Sequence, residues 1–135
     1  MALLTWGHGY SVEVASIDKQ HQVLFDLLNS LNDAMTAGTG NQKAPAILMN
    51  LLRYTREHFS YEEGLMLQAH YPHLAQHKAE HDKLTGDAVS LVRDLEQRKA
   101  PITTKLLEFL RNWLESHIHG SDKQYSVYMQ RAGIR

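Results

Sequence analysis

The sequence predicts an all-α protein, an antiparallel up-down-up-down four-helix bundle with an N-terminal arm. Three observations carry that prediction. Apolar residues recur at alternating steps of three and four in four segments, the period of a helix with one buried face. The breaks between the segments are short and contain Gly or Pro, and short links force neighbouring helices to run antiparallel. The length of 135 residues suits a single domain, 1–135, around one core.

The elements follow in order. Residues 1–17 hold Trp6, Gly7, Gly9, Tyr10 and spaced apolar residues without helical period, which predicts an arm lying over the domain. The first helix, about 19–37, is expected to start after the capping residue Asp18 and end near Gly38, with Ile17, His21, Leu24, Leu28, Leu31 and Met35 on its inner stripe. After a loop at 38–41, the second helix runs from about Pro45 to Gln68 and carries Leu48, Leu51, Thr55, His58, Glu62 and Leu65 inward. Tyr71-Pro72 breaks the chain, because a proline disfavours helical geometry in the residue before it and suits the first position of the next helix. The third helix, about 72–98, turns Leu74, His77, His81, Leu84, Ala88, Leu91 and Leu95 to one side, and Lys99-Ala100-Pro101 ends it. The fourth, about 103–130, places Leu106, Leu110, Trp113 and His117 inward, and then Asp122, Tyr125 and Met129.

That last stripe has a slip in it. From His117 to Asp122 the step is five, and five residues turn an ideal helix by about 500°, leaving the two side chains about 140° apart. One extra residue absorbed as a π-bulge would restore the phase, and such bulges concentrate at functional sites. A wide turn or local unwinding is therefore expected there, made easier by Gly120.

Composition narrows the chemistry. A formal net charge of −1, with 14 basic against 15 acidic residues, offers no electrostatic footprint for nucleic acid or an anionic membrane. No apolar run reaches the length of a membrane span, the N-terminus lacks the features of a signal peptide, and the cytoplasm is the expected location. The absence of cysteine excludes disulfides, thiolate metal sites, covalently attached haem and iron–sulfur clusters, so a metal would be held by nitrogen and oxygen.

Of the nine histidines, five fall on the inner stripes: His21, His58, His77, His81 and His117. Glu62 and Asp122 join them. His58 and Glu62, like His77 and His81, stand four apart, so each pair can reach one point from a single rigid helix. Imidazole with carboxylate suits iron, manganese, zinc or copper, and seven ligands exceed what one ion needs. With two octahedral ions, the five histidines, two bridging carboxylates and one bridging oxide or hydroxide fill every position but one. No Glu has a His three residues later, the pairing that ferritin-like di-iron enzymes use, and few oxygen ligands favour binding over oxidation of a substrate. The residues within a turn of the ligands are Phe25, Phe59, Trp113, Leu114 and Ile118, an apolar lining that suits a neutral diatomic gas. Leu114, three residues before His117, is the first choice for touching it. No general acid or base has an obvious owner, so the chain is not expected to be an enzyme.

Asp18-Lys-Gln-His21, His58-Phe-Ser-Tyr-Glu62-Glu63, His77-Lys-Ala-Glu-His81-Asp82 and Trp113-Leu-Glu-Ser-His117-Ile118, followed by Asp122 and Tyr125, resemble the hemerythrins, in particular the single-domain bacteriohemerythrins. The resemblance covers nearly the whole chain, arm included. It implies a non-haem pair of irons with an oxo or hydroxo bridge that binds dioxygen reversibly, for carriage, storage or delivery to an oxygen-consuming enzyme, in a protein expected to be a monomer. By that likeness His77, His81 and His117 would complete one iron, His21 and His58 would ligate the other, and Glu62 and Asp122 would bridge them. Dioxygen would bind the iron with two histidines.

Overall fold

In the computed structural model, residues 3–38, 40–98 and 104–135 are described. Helix α1 spans Ala15–Thr36, α2 Gly40–Gln68, α3 Leu74–Arg98 and α4 Thr104–Ser116; a π-helical segment, His117–Asp122, joins α4 to α5, Lys123–Arg131. Among the described residues there is no strand. The segment from α4 to α5 acts as the fourth rod of an antiparallel four-helix bundle, and none of the helices is long and apolar enough to cross a membrane.

Most residues of the predicted stripes are buried, while Met35, Leu65, Leu74, Ala88, Leu91, Leu110 and Trp113 are half-buried. Ile17, His21, Leu24, Leu28 and Leu31 of α1, Leu48, Leu51, Thr55, His58 and Glu62 of α2, and His77, His81 and Leu84 of α3 are all buried, as are Leu106, His117, Asp122, Tyr125 and Met129 of the fourth rod. The side chain of Leu95 and the expected helix end at 99–101 lie outside what is described, as does the expected start at 103.

Helix boundaries depart from the sequence reading in three places. Asp18 does not cap α1, which begins at Ala15 behind Val14, a residue with no side-chain capping bond. Asp18 instead sits in the first turn and accepts from Ser11 Oγ at 2.6 Å and the Val12 amide at 2.8 Å, so its carboxylate ties down the arm and complements the positive end of the helix. Helix α2 starts at Gly40, within the expected loop, which puts Pro45 in its second turn. Helix α3 starts at Leu74 because Pro72 and His73 form a turn whose flanking carbonyls of Tyr71 and His73 take the amides of Leu74 and His77.

The arm is packed down. Asn29 brackets Leu4 with two hydrogen bonds, Oδ1 accepting from its amide at 2.9 Å and Nδ2 donating to its carbonyl at 2.8 Å. Trp6, Tyr10 and Phe25 form an aromatic cluster with ring centroids 4.8 to 5.8 Å apart, Phe25 edge-on to the other two, which stack. Val12 and Val14 are buried, and Ser126 Oγ donates to the Val12 carbonyl at 2.7 Å.

The core falls into two apolar clusters. One, built around Leu24, Leu28, Leu31, Leu48, Leu51, Leu107, Leu114 and Ile118, fills the end of the bundle nearer the α1–α2 link. The other holds Val12, Val14, Ile17, Met66, Tyr71, Tyr125 and Met129. Between them lies a polar layer.

Candidate metal centre

Each of the seven polar side chains reaches that layer from a different constraint. His21 projects from the second turn of α1. His58 and Glu62 share one face of α2, and His77 and His81 one face of α3. His117 and Asp122 open and close the π-helical segment, whose extra residue cancels the 140° misalignment that a regular helix would impose. The expected wide turn is thus present, and Asp122 is fully buried.

The structure brings all seven together. One ligand atom from each of Glu62, His77, His81, His117 and Asp122 lies within 4.8 Å of the others, and so does one from each of His21, His58, Glu62 and Asp122. The two groups share both carboxylates, and each carboxylate divides its oxygens between them. Glu62 Oε1 lies 3.0 Å from His77 Nε2 and 3.1 Å from His81 Nε2, while Oε2 lies 3.0 Å from His58 Nε2 and 3.6 Å from His21 Nε2. Asp122 Oδ1 is 3.0 Å from Nε2 of both His77 and His117, and Oδ2 is 3.1 Å from His21 Nε2. Tyr125, reaching in from α5, donates its hydroxyl to Glu62 Oε2 at 2.9 Å.

Two buried carboxylates this close need positive charge, since burying an ionised carboxylate without it is costly. Burial raises the Glu62 carboxyl, but the charge on His58 and hydrogen bonds from His21, His58 and His77 outweigh it and hold it well below the ordinary range. Burial and the Glu62 charge likewise raise Asp122, yet His117 and His21 bring it below its usual value. The histidines answer in the opposite sense. Burial disfavours charge on His21 and His77, but Asp122 and Glu62 override it and lift each to about 9. His117 moves upward against its burial for the same reason, chiefly through Asp122. Burial, with the charges of Asp122 and Glu62, raises the Tyr125 phenol and keeps it a hydrogen-bond donor.

The donor set fits divalent metal better than protons. Asp122 Oδ1 and Oδ2 are buried without a hydrogen-bond donor in good geometry. His58 Nδ1 donates to Gln20 Oε1 at 2.7 Å and His81 Nδ1 to Glu63 Oε2 at 2.8 Å, so each Nε2 faces inward, where a metal can replace its proton. Nε2 atoms meet in pairs at 3.1 Å, His21 with His58 and His81 with His117, a contact that two neutral acceptors avoid unless a cation lies between them.

The five lining candidates fall into two sets. Phe59 stacks on His81 with centroids 3.7 Å apart and planes 5° apart, and Trp113 stacks on His117 at 5.2 Å and 16°, both on the three-histidine side. Phe25 belongs to the aromatic cluster of the arm, while Ile118 and Leu114 are buried in the neighbouring apolar core. A cavity of about 50 Å³ opens in that core, one turn from His21, His58, His81 and His117 along their helices, with Leu24, Thr55, Leu84, Trp113 and Leu114 among its walls. Gln20 escaped the sequence reading because it lies about 100° off the inner stripe; the signal that could have found it is the need of a ligating histidine for an acceptor on its second nitrogen. Tyr125 stood on the stripe, but its bond to Glu62 joins residues 63 apart and had no local signature.

The profile of the hemerythrin HHE cation binding domain matches residues 12–127. The chain is 38% identical over 127 residues to the bacteriohemerythrin of Methylococcus capsulatus, covering 93% of this chain and 95% of that one. It is 31% identical over 122 residues to a hemerythrin-like protein of Naegleria gruberi, covering 89% and 88%. A crystal structure of wild-type hemerythrin superposes with a TM-score of 0.87 at 36% identity, covering 95% of this chain and 98% of the other. The chain belongs to the hemerythrin family.

Proposed function

We propose that this chain binds dioxygen reversibly, as a carrier, store or delivery protein, at a non-haem di-iron centre with one open coordination position. The observation that carries the reading is the division of oxygens by Glu62 and Asp122, with three histidines on one side and two on the other. His77, His81 and His117 would hold one iron, His21 and His58 the second, and Glu62 and Asp122 both, so an open position would fall to the side with fewer nitrogens. A ferrous pair bound there supplies the two electrons that reversible capture of dioxygen draws on.

The chain's own residues do the rest. The apolar walls beside the centre, Leu114 foremost, favour a small neutral guest and keep water and protons away from it. Thr55, a hydroxyl in the cavity wall one turn before His58 on α2, is occupied in donating to the Leu51 carbonyl at 2.7 Å. Among the described residues that line the cavity none carries a carboxyl, amine or imidazole, which favours binding over turnover. Iron analysis of purified protein, with optical spectra of the reduced form before and after admitting air, tests the proposal. Two irons per chain and a visible band that vanishes on degassing are expected; a colourless zinc protein of equal stability, or less than one iron per chain, would refute it.

A further inference from the structure

Nε2 is the inward nitrogen of all five histidines, but what their Nδ1 atoms meet differs from one side of the centre to the other. On the three-histidine side, His81 Nδ1 donates to the Glu63 carboxylate at 2.8 Å. His117 Nδ1 lies 3.7 Å from Glu80 Oε1, in a carboxylate that Ser121 Oγ steadies by contacts of 2.7 and 2.9 Å. On the two-histidine side, His58 Nδ1 donates to the neutral amide oxygen of Gln20, and His21 Nδ1 is buried without a hydrogen-bond partner. One carboxylate, Glu63, thus accepts a hydrogen bond on the three-histidine side, with the Glu80 carboxylate nearby but beyond hydrogen-bond distance, and a neutral acceptor or none backs the other side.

We infer that Glu63 is a positioning residue which, through His81, makes the three-histidine position the stronger electron donor and the tighter metal site, while the neutral Gln20 leaves the two-histidine position the weaker. The inference rests on the proposed metal centre. A carboxylate accepting from Nδ1–H draws that proton away and raises the basicity of Nε2, which favours a metal ion in general and its more oxidised state in particular. Geometry enforces the effect. Phe59, stacked flat on the His81 ring, fixes the plane in which the two nitrogens lie, so Nδ1 keeps facing Glu63 while Nε2 keeps facing the centre. The Glu63 side chain is 22% exposed, in contrast to the fully buried Glu62 beside it. The partnership is also local in origin, since residues 62 and 63 on consecutive positions of α2 point about 100° apart, one at the centre and one at the outer edge of His81.

The test compares Glu63→Gln, which keeps an acceptor but removes its charge, with Gln20→Glu, which adds a charge behind His58. Zinc-loaded protein is challenged with a chelator, and the midpoint potential of iron-loaded protein is measured by spectroelectrochemistry. Glu63→Gln should release zinc about tenfold faster or more and move the midpoint potential positive. Gln20→Glu should slow release and move the potential negative, and the melting temperature of each metal-free variant should match the parent's. Zinc release and a potential both unchanged in Glu63→Gln would overturn the inference while leaving the metal centre standing. If the parent protein took up neither zinc nor iron, the centre itself would fall.

Discussion

Stripped of metal, this protein should become less stable as the pH rises from 6.5 to 9. His21 and His77 each rise from an ordinary 6.5 to about 9, because Asp122 and Glu62 stabilise their protonated forms against the opposing effect of burial. A group whose folded pKa exceeds its unfolded one stabilises the fold fully below the unfolded value and loses that contribution as pH passes through the folded value. The window is therefore 6.5 to 9. Its size follows from about 2.5 pH units at about 1.36 kcal/mol each, or about 3 kcal/mol for one histidine. The two histidines lean on the same carboxylates, so their contributions do not simply double. Against a total stability of about 5–15 kcal/mol for a domain, a loss of about 3 kcal/mol is easily measured. On the acid side the sense reverses, because Glu62 and Asp122 sit below their usual values and their contribution disappears only as pH falls through those depressed values. Urea unfolding in the presence of a chelator at pH 6, 7.5 and 9.5 gives the answer. A midpoint that stays constant across this range would show that the histidines do not neutralise the two acids. Metal-loaded protein should lack this alkaline loss, since its Nε2 lone pairs are taken by metal instead of protons.

Three further outcomes are expected. His58→Ala should lose the two-histidine metal while keeping the other, so that metal analysis falls from two ions per chain towards one and the air-dependent band disappears; full loading would place His58 outside the ligand set. Leu114→Ala should enlarge the cavity beside the centre, lower stability by about 2–5 kcal/mol in urea unfolding and speed autoxidation followed optically, and an unchanged autoxidation rate would mean that this side chain does not guard the open position. His70→Gly should raise the free energy of unfolding, measured by urea denaturation, by up to about 1 kcal/mol, because His70 holds a left-handed φ of 56° at the end of α2, where its amide and that of Tyr71 close the helix on Leu67 and Met66 at 3.1 and 3.0 Å.

Most of the fold was legible because burial in a bundle is periodic. The stripes through Ile17 to Leu31, Leu48 to Glu62 and His77 to Leu84 could be read by counting, and each is buried as counted. The break in count between His117 and Asp122 was as informative as the regular steps, since only an extra backbone residue in the turn could return Tyr125 and Met129 to the core. Helix starts were less legible. Asp18 has the chemistry of a cap and was taken by Ser11 and Val12 of the arm, a competition among local acceptors that propensity does not resolve.

By itself, then, the sequence determined which residues face inward and which of those are ligand types, because a helix converts spacing into direction. Only the tertiary structure decided how four inward faces are juxtaposed: that Glu62 and Asp122 each split their two oxygens between the same two groups of histidines, that Phe59 covers His81, and that a charged Glu63 backs one side where a neutral Gln20 backs the other. Apart from the local pairs His58–Glu62 and His117–Asp122, those contacts join residues 15 to 101 positions apart, and their distances depend on how the helices pack, a quantity that no spacing along one helix contains.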